Sequence, residues 1–231
     1  MTLRRTIGLL GLLVILGLST GIACGQQEPA LPASVEARAV VALAEAYIGG
    51  LIEAMHTMAA TSELRSGDWA TMVDLVAQFE ERTVSMNAWF LLPDGGYYKV
   101  ATGLTGINLS DRAYFPRVMA GETTVGDLVV SRSTGRKSMI LTAPIVDDQT
   151  IVGALGVTLY LDDFSHLLAG DLQLPDDFAF FAATQDGAMP VHADVDRLLA
   201  SIDESGVDLT TAGSSASDLL GWTFYVGRTT L

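Results

Sequence analysis

The sequence has little cysteine, little histidine and few cations, and each scarcity excludes a class of function. One cysteine among 231 residues allows no disulfide within the chain. The three histidines, His56, His166 and His192, lie far apart, and none has a cysteine or second histidine at metal-ligand spacing. We therefore expect no metal site and no cofactor.

The shortage of basic residues bears on the choice of partner. There are 27 Asp and Glu residues against 13 Lys and Arg residues, and the formal net charge is −14. Such a surface repels the phosphate backbone of nucleic acid and offers no polybasic patch to anionic lipid. We therefore expect no nucleic-acid partner. What the chain does have is 49% hydrophobic residues, which indicates a globular protein with a substantial core.

The first 23 residues have the features of a secretory signal. Arg4 and Arg5 precede an uninterrupted apolar run from Ile7 to Leu18. As a helix this run would reach roughly 18 Å, which is short of the ~30 Å hydrocarbon core of a bilayer. It is therefore predicted to be a signal peptide and not a transmembrane span.

The lone cysteine stands where this signal ends. The small residue Ala23 precedes Cys24, which resembles the processing site of bacterial lipoproteins, although Gly21 stands where leucine is usual. We expect a lipoprotein signal peptide over residues 1–23, lipidation of Cys24 and a polar tether over residues 24–33. Acyl chains on Cys24 would anchor the protein to a membrane on its periplasmic side. The alternative is an ordinary secretory signal followed by an unmodified thiol.

Two helices are predicted before the first strand. Ser34 is a candidate N-cap for a long helix from Val35 to Ser62, in which apolar residues recur every three or four positions. Ser66, Gly67 and Asp68 break this helix and cap a second one, Trp69–Arg82. The apolar stripe of the first helix could pair with a second copy of the chain, but we expect its own sheet to cover it.

The middle of the chain alternates strand-like runs with turns. The runs are Asn87–Leu92, Tyr97–Ala101, Thr124–Ser131, Lys137–Pro144 and Thr150–Leu161. Between the second and third runs, Asp111 is a candidate cap for a short helix through Met119. A further short helix is predicted from Asp162 to Leu168. This order of two strands, a helix and three antiparallel strands is the layout of a PAS-like module.

The tail contains a weak repeat of the first hairpin. Residues 178–191 again show a strand, an Asp-Gly turn and a strand. They are followed by a predicted helix over Asp194–Ile202, a polar loop over Ser205–Ser217 and a last strand over Gly221–Arg228. Too few residues remain for a full second module. We therefore expect residues 169–231 to form a truncated second subdomain.

These elements resemble the extracytoplasmic Cache sensing domains, which are ligand-binding modules of chemoreceptors, sensor histidine kinases and cyclases. The resemblance lies in the order of FLLPDGG, LSDRAYF, SRSTG, APIVDDQTIVGALGV and LYLDDF, and it covers residues 34–168. It implies an α+β fold with a long N-terminal helix packed on a PAS-like antiparallel sheet. The tail resembles a truncated membrane-proximal Cache-like α/β subdomain. The resemblance also implies a small-molecule pocket between the sheet and the segment that carries DRAYF.

Arg112 is the leading candidate for a ligand-binding residue. Its guanidinium can hold a carboxylate through two parallel hydrogen bonds. The aromatic neighbours Tyr114 and Phe115 would supply apolar walls that exclude water. The alternative is that Arg112 pairs with Asp111 or another carboxylate and merely fixes the loop.

Two hydroxyl residues are further candidates for the pocket. Alternation along the last strand of the module places Ala154, Gly156, Thr158 and Tyr160 on one face. The small residues in the middle of this face would leave volume for a ligand, beside which Thr158 could bind. Ser131, at the end of its strand, could add a second hydroxyl. The alternative is that the small residues simply admit a helix.

Three further cations cluster at the tip of the predicted hairpin that follows Ser131. They are Arg132, Arg136 and Lys137. Long charged side chains at a turn usually keep their head groups in water. We therefore expect a solvated turn here and no ligand contact.

The resemblance also bears on the ligand. Amino-acid-sensing Cache domains hold the ligand carboxylate with an arginine followed by paired aromatics, and they hold its ammonium group with downstream acids. The positions of those acids align with Ser131 and Thr158, which are neutral. An ammonium ion without a countercharge is costly to bury. We therefore expect a small carboxylate or related metabolite as ligand, in preference to an α-amino acid.

These predictions combine into one expected function. The protein is expected to be an extracytoplasmic small-molecule sensor module that signals through a separate membrane receptor or kinase. The alternative is a structural or assembly lipoprotein that uses the fold as a scaffold. We expect no enzyme, because the sequence has no nucleophile elbow and no phosphate-binding glycine loop. The paired carboxylates Asp147-Asp148 and Asp162-Asp163 are expected to be a turn and a helix cap.

Overall fold

The computed structural model describes residues 33–83, 86–132 and 134–230. All of them belong to one compact unit. The predicted signal peptide, Cys24 and all but the last residue of the tether lie outside the described residues. No helix within the described ranges has the length and apolarity needed to cross a membrane.

Five α-helices occur in this part of the chain. They are α1 (Ala33–Ala59), α2 (Ser62–Arg65), α3 (Trp69–Arg82), α4 (Tyr114–Met119) and α5 (Leu161–Leu172). The prediction for α3 is confirmed, with Asp68 as its N-cap accepting from the N–H of Ala70 at 3.3 Å. Helix α1 ends before the predicted Ser62, because Thr61 caps a separate helix by accepting from the N–H of Leu64.

The larger sheet has six antiparallel strands. They are β1 (Met86–Leu91), β2 (Tyr97–Lys99), β3 (Gly103–Leu104), β4 (Thr124–Val130), β5 (Lys137–Asp147) and β6 (Thr150–Tyr160), in the order β3-β2-β1-β6-β5-β4. The five predicted runs are confirmed, and the short edge strand β3 was not predicted. Strand β5 extends beyond the predicted Pro144, because Asp148 and Gln149 adopt positive φ angles of 44° and 67° that turn the chain directly into β6.

Alternation along the central strands gives this sheet two different faces. On one face Phe90 of β1, Leu141 of β5 and Val157 of β6 belong to the main core beneath α1. The buried residues of α1 are Ala37, Val40, Val41, Ala44, Ile48, Leu51, Met55, Met58 and Ala59. The apolar stripe of α1 is therefore covered by the protein's own sheets, as expected. The opposite face forms a second, smaller cluster with α4.

A four-stranded antiparallel sheet follows in the tail. Its strands are β7 (Phe178–Ala183), β8 (Val191–His192), β9 (Gly213–Ser217) and β10 (Trp222–Arg228), in the order β8-β7-β10-β9. Helix α1 packs on this sheet as well, and Ser217 donates a 2.7 Å hydrogen bond to Glu45 of α1. Helix α5 leads from β6 into β7, so the predicted boundary between residues 168 and 169 falls inside a helix.

Two predictions for the tail are wrong. The segment Asp194–Ile202 is not an α-helix but contains the 3-10 turn Val195–Arg197, and a second 3-10 turn, Ile202–Glu204, begins at its last residue. Leu199 lies between them at φ 60°, and its N–H donates to Met189 instead of to a helical carbonyl. The predicted loop over Ser205–Ser217 contains β9, which pairs with β10 despite its serine-rich sequence.

Candidate ligand-binding site

A cleft opens on the face of the larger sheet that is opposite to α1. Its cavity volume is about 40 Å³, and the space reaches about 410 Å³ when the open solvent at its mouth is counted. The lining residues are Trp89, Tyr97, Lys99, Leu109, Arg112, Tyr114, Val129, Ser131, Arg132, Ile140 and Thr158. Four of the five predicted site residues, Arg112, Tyr114, Ser131 and Thr158, are therefore brought together. The fifth, Phe115, packs against the adjoining hydrophobic cluster without lining the cleft.

Aromatic rings form one wall of the cleft. Trp89 is almost fully buried and meets the ring of Tyr97 edge-on at a centroid distance of 5.8 Å. Its ring also meets that of Tyr114 at 6.1 Å. Burial raises the pKa of the Tyr114 phenol above its usual range, so this hydroxyl is uncharged at neutral pH. The wall is therefore apolar and neutral.

The same tryptophan corrects the prediction about empty volume. A Cβ added at Gly156 would lie 2.3 Å from the indole ring of Trp89. The space left by the missing side chain is therefore filled by Trp89 and does not accommodate a ligand. A helix, which was the alternative, does not fill it either.

Arg112 lies half-buried in the cleft, and its predicted partner is bound elsewhere. The Asp111 carboxylate binds Arg132, with distances of 2.5 and 3.1 Å to the two terminal nitrogens. This pairing lowers the pKa of Asp111 below its usual range. Within the described residues no carboxylate forms an ion pair with Arg112. The alternative in which Asp111 neutralises Arg112 is therefore wrong.

Asp111 was also predicted to cap α4, and this prediction is wrong as well. The helix begins at Tyr114, and its N-cap residue Ala113 makes no side-chain capping bond. The Asp111 carboxylate forms an ion pair with Arg132 in place of the capping bond. Asp111 therefore joins the loop before α4 to the hairpin after β4.

The cations of this hairpin are exposed or half-exposed, as expected for a solvated turn, but each of them also has a protein partner that was not predicted. Arg132 lines the cleft and donates to the carbonyl of Asn108 at 3.0 Å. Arg136 binds Asp162 and Asp163, and Lys137 donates to the carbonyl of Leu198 at 2.6 Å. The residues that hold these three cations are distant in the sequence, so no local pattern reveals them.

The two predicted hydroxyl residues already accept hydrogen bonds from the protein. Trp89 Nε1 donates to Thr158 Oγ1 at 2.9 Å, and the N–H of Thr134 donates to Ser131 Oγ at 3.3 Å. The cleft lining includes three cations, Lys99, Arg112 and Arg132, and no carboxylate. Its electrostatics therefore favour an anionic ligand that accepts hydrogen bonds.

Sequence reasoning missed several residues that line the cleft. Trp89 occupies the same face of β1 as Leu91, and the register pairs it with Lys99 of β2 and with Gly156 of β6. Strict alternation from the Pro93-Asp94-Gly95-Gly96 turn could have placed Trp89, Tyr97 and Lys99. Arg132 carried no such signal.

Comparison with known proteins gives matches in structure only. No protein-family model matches the sequence, and no curated protein matches it significantly. The ligand-binding domain of the Pseudomonas fluorescens chemoreceptor CtaA in complex with L-valine superposes with a TM-score of 0.66 at 13% identity, covering 86% of this chain and 95% of that one. The fold is Cache-like. It combines the predicted long N-terminal helix with a mixed α and antiparallel β architecture.

Other Cache-like sensor domains match equally well. The ligand-binding domain of the Pseudomonas aeruginosa chemoreceptor PctC in complex with GABA has a TM-score of 0.65 at 15% identity, covering 85% of this chain and 96% of that one. The Vibrio cholerae histidine kinase DctB sensor domain has a TM-score of 0.63 at 14% identity, with coverage of 85% and 97%. These neighbours are sensory domains and not enzymes. At such identities the likeness establishes the fold, and the site must be argued from its own residues.

Proposed function

We propose that this protein is an extracytoplasmic sensor module that binds a small organic carboxylate in the cleft beside Arg112. One observation carries the proposal. Arg112 is a half-buried cation beside an aromatic wall, and no described carboxylate pairs with it, although the acidic residue next to it in sequence is ion-paired. A planar guanidinium in this position offers two parallel donors to a carboxylate.

The remainder of the lining supports an anion in preference to an amino acid. Lys99 and Arg132 lie in the same lining, and the charge of Arg132 is offset by Asp111. An α-amino acid would bring an ammonium group into a lining without a carboxylate, which is unfavourable in a partly dry site. Sensor domains of similar fold bind L-valine and GABA. Both of those ligands carry an ammonium group, whereas the ligand proposed here is an anion without one, in keeping with the cationic lining of this cleft.

The setting of the site follows from the N-terminal sequence and the fold. A signal peptide over residues 1–23 and lipidation of Cys24 would hold the protein on the periplasmic side of a membrane. Similar folds occur as sensor domains of a histidine kinase and of chemoreceptors. We infer that ligand binding is passed to a separate membrane receptor or kinase.

Thermal unfolding with and without ligands tests this function. The full-length protein, Arg112→Ala and the control Arg38→Ala would each be heated with acetate, pyruvate, lactate, succinate, L-alanine, L-valine and GABA. Arg38 is an exposed arginine on α1, remote in sequence from the cleft residues. A ligand present at 100 times its dissociation constant stabilises the folded state by ~2.7 kcal/mol.

The three proteins separate the outcomes. A rise in melting temperature with a carboxylate that is lost in Arg112→Ala and kept in Arg38→Ala supports the proposal. A rise that survives Arg112→Ala places the ligand elsewhere. If no compound raises the melting temperature and Arg112→Ala is strongly destabilised, the results support a scaffold protein instead.

A further inference from the structure

The back wall of the cleft contains one hydrogen bond between side chains of neighbouring strands. Trp89 on β1 donates from Nε1 to Thr158 Oγ1 on β6 at 2.9 Å. An indole N–H can only donate, so the direction of this bond is unambiguous. Thr158 is therefore the acceptor.

This bond determines what Thr158 can offer to a ligand. A hydroxyl group has one proton and two lone pairs, and the indole takes one of the lone pairs. Within the described part of the chain, no group accepts a hydrogen bond from Thr158 Oγ1. Because Thr158 lines the cleft, its O–H remains available to donate to a bound molecule.

The indole is held in place from several sides. Its ring lies directly over Gly156, where a Cβ would be only 2.3 Å away. Tyr97 and Tyr114 pack against the same ring. Only 2% of Trp89 is exposed to solvent. The donor is therefore rigid, and Thr158 is kept in its accepting role without reorganisation when a ligand arrives.

We infer that Trp89, acting through Thr158, is a positioning residue that selects the second polar group of the ligand. Thr158 donates to a keto oxygen, a hydroxyl or a second carboxylate, and the bond from the indole polarises its O–H into a better donor. An ammonium group would have to share the lone pairs of Oγ1 with the indole, which is less favourable. The site thus discriminates between carboxylates of equal size that differ only in this group. The inference rests on the proposed function, because it names the residue that sets the specificity of the same cleft.

Matched ligand pairs test the inference with the full-length protein. The pairs are lactate with L-alanine, 2-hydroxyisovalerate with L-valine, and succinate with GABA. Dissociation constants are measured by calorimetry for wild type, Trp89→Phe, Thr158→Val and Thr158→Asp. Trp222→Phe is the matched control, since Trp222 is equally buried but belongs to the sheet of the tail.

The ratio of affinities within a pair is the readout, because a general loss of stability does not move it. Wild type and Trp222→Phe are expected to bind the acid without an ammonium group (lactate, 2-hydroxyisovalerate or succinate) about tenfold or more tightly than its amino-acid counterpart. Trp89→Phe keeps an aromatic ring but lacks the N–H, so an ammonium group no longer competes with the indole for the lone pairs of Thr158, and the preference falls by about fivefold. Thr158→Asp is expected to reverse the preference, and Thr158→Val to lower the affinity for the acceptor ligand.

Failure of the inference is distinguishable from failure of the proposed function. Equal affinity of wild type for both members of a pair, or an unchanged ratio in a folded Trp89→Phe protein, overturns the role of Trp89 while the carboxylate site stands. If Trp89→Phe does not fold, an unchanged ratio in both Thr158 variants overturns the inference. Absence of binding by every acid, with no effect of Arg112→Ala, overturns the proposed function and this inference together.

Discussion

Arg136 stacks on Tyr160, with its guanidinium carbon 3.7 Å from the ring centroid. The same guanidinium binds Asp162 at 2.5 Å and Asp163 at 2.9 Å, both in the first turn of α5. The Tyr160 hydroxyl accepts a hydrogen bond from Asn87 Nδ2. One arginine therefore ties the hairpin that carries Ser131 and Arg132 to the helix that leads into the tail.

Replacement of this arginine should lower stability. We expect Arg136→Ala to reduce the free energy of unfolding by about 1–2 kcal/mol, because a cation–π contact and a partly screened double ion pair are lost together. Arg136→Lys should recover part of the loss, since an ammonium group cannot stack as a plane. Urea titration measures both variants. Equal stability of Arg136→Ala and the exposed-site control Arg38→Ala would contradict this prediction.

Gly156→Ala should disturb the aromatic wall. The new methyl group would lie 2.3 Å from the indole of Trp89, so the ring must move or the strands must separate. We expect a loss of about 1–3 kcal/mol in the free energy of unfolding, with a change in tryptophan fluorescence. Gly170→Ala is the control, because nothing lies within 4 Å of its added Cβ in α5. Because Gly170 lies in a helix, its replacement by alanine should raise the free energy of unfolding by about 0.5–1 kcal/mol. Similar stability in the two variants would contradict this prediction, because it would show that the indole can move aside at little cost.

Asp111→Asn should strengthen the binding of anions. The substitution removes the carboxylate that offsets Arg132 while keeping a side chain of the same shape. We expect a few-fold decrease in the dissociation constant of a bound carboxylate at low ionic strength, and a smaller decrease at high salt. Calorimetry at two salt concentrations measures the change. Weaker binding would mean that Asp111 serves chiefly to hold Arg132 in position.

The stability of the tail should depend on pH through His192. Its Nδ1 accepts from the N–H of Asp194 at 2.8 Å, and its Nε2 donates to the carbonyl of Ser205 at 2.9 Å. Burial lowers the pKa of His192, so the folded state holds the neutral ring. The unfolded chain therefore binds a proton more readily, and stability falls as pH drops below about 6.5, the usual value for histidine.

Comparison of two variants isolates this effect. Thermal unfolding would be recorded at several pH values from about 7.5 to about 5 for wild type, His192→Gln and the exposed-site control His166→Gln. The pH-dependent loss should be smaller in His192→Gln than in wild type. Parallel curves for wild type and His192→Gln would contradict the prediction.

Local signals were sufficient for several elements. Asp68 and the apolar spacing that follows it predicted α3 with its correct bounds, because a capping carboxylate and a 3.6-residue period act within a few residues of each other. Strict alternation likewise assigned Thr158 to the face that carries the cleft. Thr158 lies in the cleft for this reason.

Long-range contacts account for the predictions that failed. The segment from Asp194 to Ile202 has a helical pattern, yet Leu199 bonds to Met189 and leaves the helix. The serine-rich strand β9 exists because β10 and α1 lie beside it. Arg132 lines the cleft because Asp111 binds it across 21 positions of the chain. Propensity and spacing contain no information about such partners.

The sequence by itself determined α3, the order of five of the six strands of the larger sheet and the two faces of that sheet. Those features follow from periodicity and capping, which depend on neighbouring residues only. The tertiary structure decided that Trp89 fills the space over Gly156 and that Asp111 turns to Arg132 instead of Arg112. Both depend on which distant side chains reach the same point in space, because packing and charge pairing act across the fold and not along the chain.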